Sequence, residues 1–283
     1  MTERIEFREL ASFDDFDKVE EIQQDAWNMP DRELVPKILH QATQNSGGVV
    51  IGAFKGDKMI GYCWGWVGKK DPYGVFIYSH QNAVRKQFQN EGIGFQLKAE
   101  QRKWALKHNY ECINWTFDPL QSKNCYLNLH KLGVTCNTHY ENYWGEMLDD
   151  LNRGIDTDRF YCNWFLNSKH VKERLNGNFS DYSEFVIQSK YNAIESKLNG
   201  DILAVNSMNL DISLPFLFVQ IPHNFYVMLK ESKERIIEWR EKTRKVFGTY
   251  FKKGYTAVDF IVKQYKENTT CYHVLQKIDS NYE

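Results

Sequence analysis

The fold turns on the stretch Val84-Arg85-Lys86-Gln87-Phe88-Gln89-Asn90-Glu91-Gly92-Ile93-Gly94-Phe95. A strand-like run from Tyr73 to Val84 ends there in a polar loop, and a helical pattern opens at the two glycines. From Gly92 to Lys107, Ile93, Leu97 and Trp104 fall on one stripe, with Phe95, Ala99 and Leu106 beside it. The first N–H groups of a helix have no internal acceptor and carry partial positive charge. Glycine lets a bulky anion approach the backbone closely. Residues 89–95 are therefore expected to accept a pyrophosphate-sized anion without needing many lysines. Taken alone, Gly92 and Gly94 favour a plain helix start, so the context has to decide.

Working outward on the N-terminal side, Arg4 to Leu10 alternates as a strand, and Ser12 caps a helix running to Trp27. Met29-Pro30-Asp31 breaks that helix and a second continues to about Gln44. Val49 to Lys55 and Met59 to Val67 read as strands of a hairpin turning at Gly56-Asp57. On the other side, Glu111 to Phe117 returns as a strand that Asp118-Pro119 ends. A short helix reaches Leu132 and closes at Gly133. Strands near Val134 to Tyr143 and Arg159 to Phe165 complete the unit. The loop is not a Rossmann fingerprint, which needs G-x-G-x-x-G after an early strand, and no Gly-Lys-Ser/Thr makes it a P-loop.

The spacing Q-x-x-G-x-G after a strand, together with this order of elements over residues 3–165, resembles the GNAT superfamily of acyl-CoA N-acyltransferases. Trp115-Thr116-Phe117-Asp118-Pro119-Leu120-Gln121-Ser122, Asn124 and Lys131-Leu132-Gly133 are similar to a GNAT subfamily with a long C-terminal extension. The resemblance implies an α/β (α+β) mixed sheet. It also implies acetyl-CoA, or another acyl-CoA, as co-substrate, with no metal. Gln89, Asn90, Glu91, Gly92, Ile93, Gly94 and Phe95 would then hold the pyrophosphate by backbone N–H groups. Ala83 and Val84 would offer strand backbone to the pantetheine arm, and Asn124 would orient the cofactor or merely start a turn.

The chemistry implied is direct attack of an amine on a thioester, with a tyrosine on the helix after the fifth strand protonating the sulfur. Four residues before Gly133 stands Leu129 instead, and eleven before it Ser122 where asparagine is usual. Tyr126, one turn before Leu129, is the substitute acid, or else a packing residue. His80, on the strand feeding the loop, is the candidate base because a near-neutral pKa suits amine deprotonation; the alternative is a hydrogen-bonded core histidine. His130 is expected to point to solvent. Asp118 either holds the substrate ammonium or forms a turn with Pro119. Trp115, with Trp64 and Trp66, either walls an acceptor pocket or sits in the core. Cys125 is expected to be a small buried thiol rather than a nucleophile.

Lys plus Arg total 36 against 37 Asp plus Glu, so no global field draws in nucleic acid or an anionic membrane. The six cysteines form no C-x-x-C pair, the start lacks an apolar signal core, and no apolar run suits a bilayer. A cytoplasmic protein with free thiols is expected. The domains are expected at 1–167, GNAT-like, and 168–283, an α/β extension that covers the acceptor cleft or mediates a homodimer. Gln101-Arg102-Lys103-Trp104 before Asn109-Tyr110 is faintly echoed by Thr243-Arg244-Lys245-Val246 before Gly254-Tyr255. The extension is accordingly either a degenerate second GNAT-like half or an ordinary strand–helix–strand unit. The expected activity is transfer of an acetyl group to a small-molecule amine. A CoA-binding protein without turnover and a protein-lysine acetyltransferase are the alternatives.

Overall fold

A computed structural model describes residues 4–145, 147, 154–199, 202–265 and 268–278. The chain forms two compact units, one up to Trp115 and the other of Thr116–Met147 with the residues from Gly154 onward. The strands of residues 135–140 and 159–165 pair with each other, and the first of them also pairs with a strand near the C-terminus.

In the first unit the strands are β1 (Ile5–Glu9), β2 (Val49–Lys55), β3 (Lys58–Lys70), β4 (Gly74–Val84) and most of β5 (Cys112–Phe117), with helices α1 (Phe13–Trp27), α2 (Lys37–Asn45) and α3 (Ile93–Lys107). The strands lie in the order β1-β2-β3-β4-β5; the first three pairings are antiparallel and β4–β5 is parallel. Local chemistry fixes the ends of these elements. Ser12 Oγ accepts the Asp15 N–H at 3.1 Å and caps α1. Gly56, at φ +57°, makes the β2–β3 turn. Phe16, Val19 and Ile22 of α1 pack with Val50, Tyr62 and Trp64 as one buried cluster. Each fully buried large apolar side chain there contributes roughly 1.5–3 kcal/mol.

In the second unit Ser122–Cys125 forms α4, which continues as a widened π turn over Tyr126–Lys131. β6 (Thr135–Tyr140), β7 (Arg159–Phe165), α5 (Lys169–Leu175), β8 (Asn192–Asn199), β9 (Ile202–Met208), β10 (Phe216–Ile221), α6 (Phe225–Glu231), α7 (Lys233–Lys252), β11 (Tyr255–Tyr265) and β12 (Asn268–Lys277) follow. The strand order is β7-β6-β11-β12-β10-β8-β9. The echo between the halves closes differently in each. β4 and β5, joined by α3, are parallel neighbours, whereas β10 and β11, joined through α6 and α7, enclose β12. Two antiparallel hairpins, β6–β7 and β11–β12, meet at the pair Ala257↔Cys136. Among the described residues no helix is long and apolar enough to cross a membrane.

Candidate active site

The pairing of β4 with β5 registers at two positions, Ile77↔Ile113 and Tyr78↔Asn114, among the described residues. Past Tyr78, β4 continues along β3 to Val84. The register with β3 steps from Trp64↔Gln81 to Gly65↔Ser79, so His80 is the extra residue of a β-bulge. A bulge at the point where two parallel strands part leaves backbone groups of β4 facing an opening instead of a ladder.

The direction of those groups follows from one bond. Arg85 N–H donates to Ile60 O at 2.9 Å, and backbone groups two residues apart point the same way. Ala83 therefore turns its backbone toward β3, while Asn82 and Val84 face the open side. Of the two residues expected to offer open backbone, Val84 faces away from β3 and Ala83 does not. The Val84 carbonyl already accepts Gln89 Nε2 at 3.0 Å, a latch that folds the loop back on the strand. Asn82 Nδ2 donates to Gly94 O at 3.1 Å and ties the strand to the helix start, and its Oδ1 is buried without a partner. Sequence reading passed over Asn82, the last of four consecutive polar residues, Ser79-His80-Gln81-Asn82, before the strand ends.

The loop itself is anchored at its first residues. The Arg85 guanidinium donates to Met59 O at 2.9 Å and to Glu21 at 2.7 Å, and Lys86 N–H donates to Asp25 at 2.8 Å. Asn90 and Gly92 both take left-handed backbone, at φ +67° and +81°. Gly92 is the N-cap of α3 and has no side chain to cap it. The first bond of the helical ladder runs from Gln96 N–H to Gly92 O at 3.1 Å, so the N–H groups of Ile93, Gly94 and Phe95 precede that ladder. A Cβ placed on Gly92 would meet nothing within 4 Å, so the space before the helix is open. Ile93 is buried and pins the turn, while Gln89, Asn90, Glu91 and Gly92 are exposed. An uncapped, positively polarised helix start with open space before it fits a diphosphate.

His80 is half-buried, and burial pushes its pKa down from 6.5 to about 4. The near-neutral pKa expected for it is not what the bulge provides: the imidazole stays uncharged at neutral pH. Trp115 is 6% exposed and its ring is covered by Lys98 Nζ, 3.8 Å from the centroid, so it is a core residue rather than a pocket wall. Lys98 is itself buried and donates to Ser79 Oγ at 2.6 Å, on the strand residue next to the bulge.

The remaining candidates lie in the second unit. Asp118 is 1% exposed, and its two oxygens accept from Arg240 at 2.7 and 2.6 Å and from Leu120 N–H at 2.8 Å. That carboxylate is spent on a bidentate buried ion pair and does not await a substrate ammonium. Asn124 is exposed and donates to Gln121 at 3.0 Å. Tyr126 stacks on His130 at 4.7 Å, not over Leu129, because the widened turn shifts the register of that face; Leu129 is fully buried. His130 does not simply face solvent: it is half-buried between Tyr126 and Phe179, and its Nδ1 meets Asp259 at 2.9 Å. Cys125 is buried, and burial pushes its thiol far above the ordinary range, which removes it as a nucleophile. Among the described residues no cluster of three or more His, Cys, Asp or Glu could hold a metal.

The family description "Acetyltransferase (GNAT) family" matches residues 16–133, the span from α1 to the close of the π turn. No curated protein matches the chain. Solved structures similar to it include the ribosomal-protein-S18-alanine N-acetyltransferase from Escherichia coli, at 14% identity and TM-score 0.46, covering 56% of this chain and 92% of that one. NAA60 from Arabidopsis thaliana in complex with a bisubstrate analogue is similar at 16% identity and TM-score 0.46, covering 58% of this chain and all of that one. A GNAT-family acetyltransferase from Streptococcus pneumoniae is similar at 15% identity and TM-score 0.44, covering 56% of this chain and 98% of that one. The chain thus carries, over residues 16–133, an acyltransferase domain of the GNAT superfamily, with substantial further α/β structure C-terminal to it.

Proposed function

We propose that the protein transfers a short acyl group, acetyl in the first instance, from acyl-CoA to the primary amine of a small molecule. The observation that carries this reading is the uncapped start of α3, with Gly92 at φ +81° and open space before it. The backbone N–H groups of residues 90–95 hold the diphosphate, and Ile93, buried beneath them, keeps the turn in place. The open-side backbone groups of Asn82 and Val84 line the path of the pantetheine arm. What the co-substrate supplies is an acyl carbon already activated by its bond to sulfur. The ammonium first gives up one proton to solvent; the amine nitrogen then bonds to that carbon as the carbon–sulfur bond breaks, and the nitrogen loses a second proton as the leaving sulfur gains one.

An uncharged His80 at the bulge accepts a hydrogen bond from the incoming nitrogen and passes its proton to solvent. With a pKa near 4 it orients the amine and relays a proton rather than storing one. Exposed N–H groups where β4 leaves β5 polarise the carbonyl oxygen.

The test is thiol release from acetyl-CoA in the presence of a panel of amines. Thiol release that depends on a small amine, is abolished by Gly92→Val and is slowed by His80→Ala supports the reading. Saturable CoA binding with no thiol release for any amine or lysine peptide would leave only a binding protein.

A further inference from the structure

Helix α7 contains a glycine that the helix itself does not call for. Gly248 takes ordinary helical backbone, and a Cβ built on it would meet nothing within 4 Å. Neither a special backbone angle nor close packing therefore demands glycine there, and glycine within a helix is destabilising relative to alanine. What Gly248 leaves is bare helix backbone, and that backbone forms part of the wall of a cleft of about 350 Å³. Glu241, Lys245 and Lys252 of α7 line the same cleft, with Arg244 and with Glu141 from the turn after β6. All of these residues belong to the second unit.

The charges along the cleft are segregated. At one end the Arg244 guanidinium is held by Asp158 at 2.9 and 2.7 Å and by Asp156 at 2.8 Å, with Glu141 3.7 Å away. Glu241 makes a fourth carboxylate there, against Arg244 and, when it is protonated, His139, which meets Asp158 at 3.2 Å. That end is therefore acidic in either state of His139. Lys245 and Lys252 lie further along α7, and the spacing of Glu241, Lys245, Gly248 and Lys252 keeps all four on one side of the helix. At the rise of a helix, the two lysines stand about 6 and 16 Å beyond Glu241, with Gly248 between them. Among the described residues, neither lysine ammonium nor the Glu241 carboxylate is engaged in an ion pair or a hydrogen bond, and all three residues are exposed.

We infer that this cleft binds an extended zwitterion, a short peptide with free ends, its ammonium at Glu141 and Glu241 and its carboxylate at Lys245 and Lys252. An extended tripeptide spans about 10 Å, which reaches from the acidic end to the stretch between the two lysines. Its backbone passes over Gly248, where any side chain would stand in its way. Charge-assisted bonds at the two ends set its direction in the cleft. A single amino acid carries its two charges too close together to reach both ends. A small anion satisfies the lysines and leaves the glutamates unmatched. Nothing in this depends on the acyl-transfer reading.

The experiment titrates the full chain, at low salt and pH 7, with trialanine, N-acetyl-trialanine, trialanine amide, alanine and citrate, and reads binding by ligand-observed NMR. Ion pairs this exposed are individually weak, so trialanine is expected to saturate with a Kd of about 1 mM. Blocking either end should weaken it about tenfold. Gly248→Leu should raise the melting temperature by about 1–4 °C through helix propensity and yet weaken trialanine about tenfold or more. A glycine with a purely structural role would not give a gain of stability together with a loss of binding. Glu241→Gln and Lys252→Gln keep the test open should Gly248→Leu fold poorly, since neither side chain pairs with another described residue; each should weaken trialanine about threefold or more. No saturation by trialanine below about 10 mM, equal affinity for the blocked peptides, tighter binding of alanine or citrate, or an unchanged trialanine affinity in the folded variants would overturn the site.

Discussion

Replacing Gly92 by alanine separates what the backbone turn does for folding from what it does for the ligand. Gly92 sits at φ +81° and ψ 0°, a conformation that costs an L-residue roughly 1–2 kcal/mol. Its Cβ would touch nothing within 4 Å, so no steric penalty adds to that strain. At roughly 2–4 °C per kcal/mol for a chain of this class, the melting temperature should fall by about 2–8 °C. The new methyl group points into the space assigned to the diphosphate, and loss of one charge-assisted backbone hydrogen bond of roughly 1.5–3 kcal/mol weakens CoA about ten- to hundredfold. Gly74→Ala supplies the matched control. Gly74 starts β4 at φ +65°, and its Cβ also meets nothing within 4 Å, so it carries similar strain away from the loop. Differential scanning fluorimetry and isothermal titration of CoA on both variants read the two effects. Equal melting shifts with a CoA affinity lost only in Gly92→Ala are expected. An unchanged CoA affinity in Gly92→Ala, or an equal loss in Gly74→Ala, would refute the argument.

Other outcomes follow from the same geometry. His80→Ala should lower kcat without altering CoA affinity. Because the native His80 pKa lies near 4, the wild-type kcat–pH profile should show no inflection between pH 6 and 7; one that disappeared in the variant would show a near-neutral His80. Asp118→Asn should destabilise the second unit by about 3–5 kcal/mol, since it leaves the buried Arg240 without its charge partner. Chemical denaturation measures this, and a loss below 1 kcal/mol would contradict a structural role for the pair. Burial also holds His40, His170 and His273 near 4. Unfolded histidines titrate near 6.5 and so bind protons that the native state refuses; stability should be full above pH 6.5 and fall progressively toward pH 4. Denaturant midpoints from pH 7.5 to 4.5 would show it, and a flat profile would mean these rings are not held neutral.

Features set by neighbouring residues were legible in the sequence. The Ser12 cap, the Gly56-Asp57 hairpin turn, the strand ending at Val84 and the glycine-led start of α3 each depend on a few adjacent side chains, and each stands where the pattern put it. What needed partners far along the chain was not legible. Nothing near Asp118 signals Arg240, 122 residues away, which turns a plausible ammonium ligand into a buried ion pair. Trp115 reads equally as a pocket wall or a core residue until Lys98 is seen over its ring. The bulge at His80 and the π turn at Tyr126 are single-residue slips in register that composition does not record, yet they decide which groups face outward. The strands β8 and β9 went unread because their Asn- and Ser-rich sequence lacks strand-like alternation. They are held by pairing with each other, and β8 also pairs with β10 at Phe218↔Asn192 and Val219↔Ile194.

The central claim is that the amides opening α3 grip a diphosphate, and comparing CoA with pantetheine tests it most directly. Pantetheine keeps the thiol arm and lacks the diphosphate. Calorimetric titration of the full chain should show saturable one-site binding of CoA and a loss of at least about a hundredfold with pantetheine. Equal affinity for the two, or no heat with CoA, would contradict it.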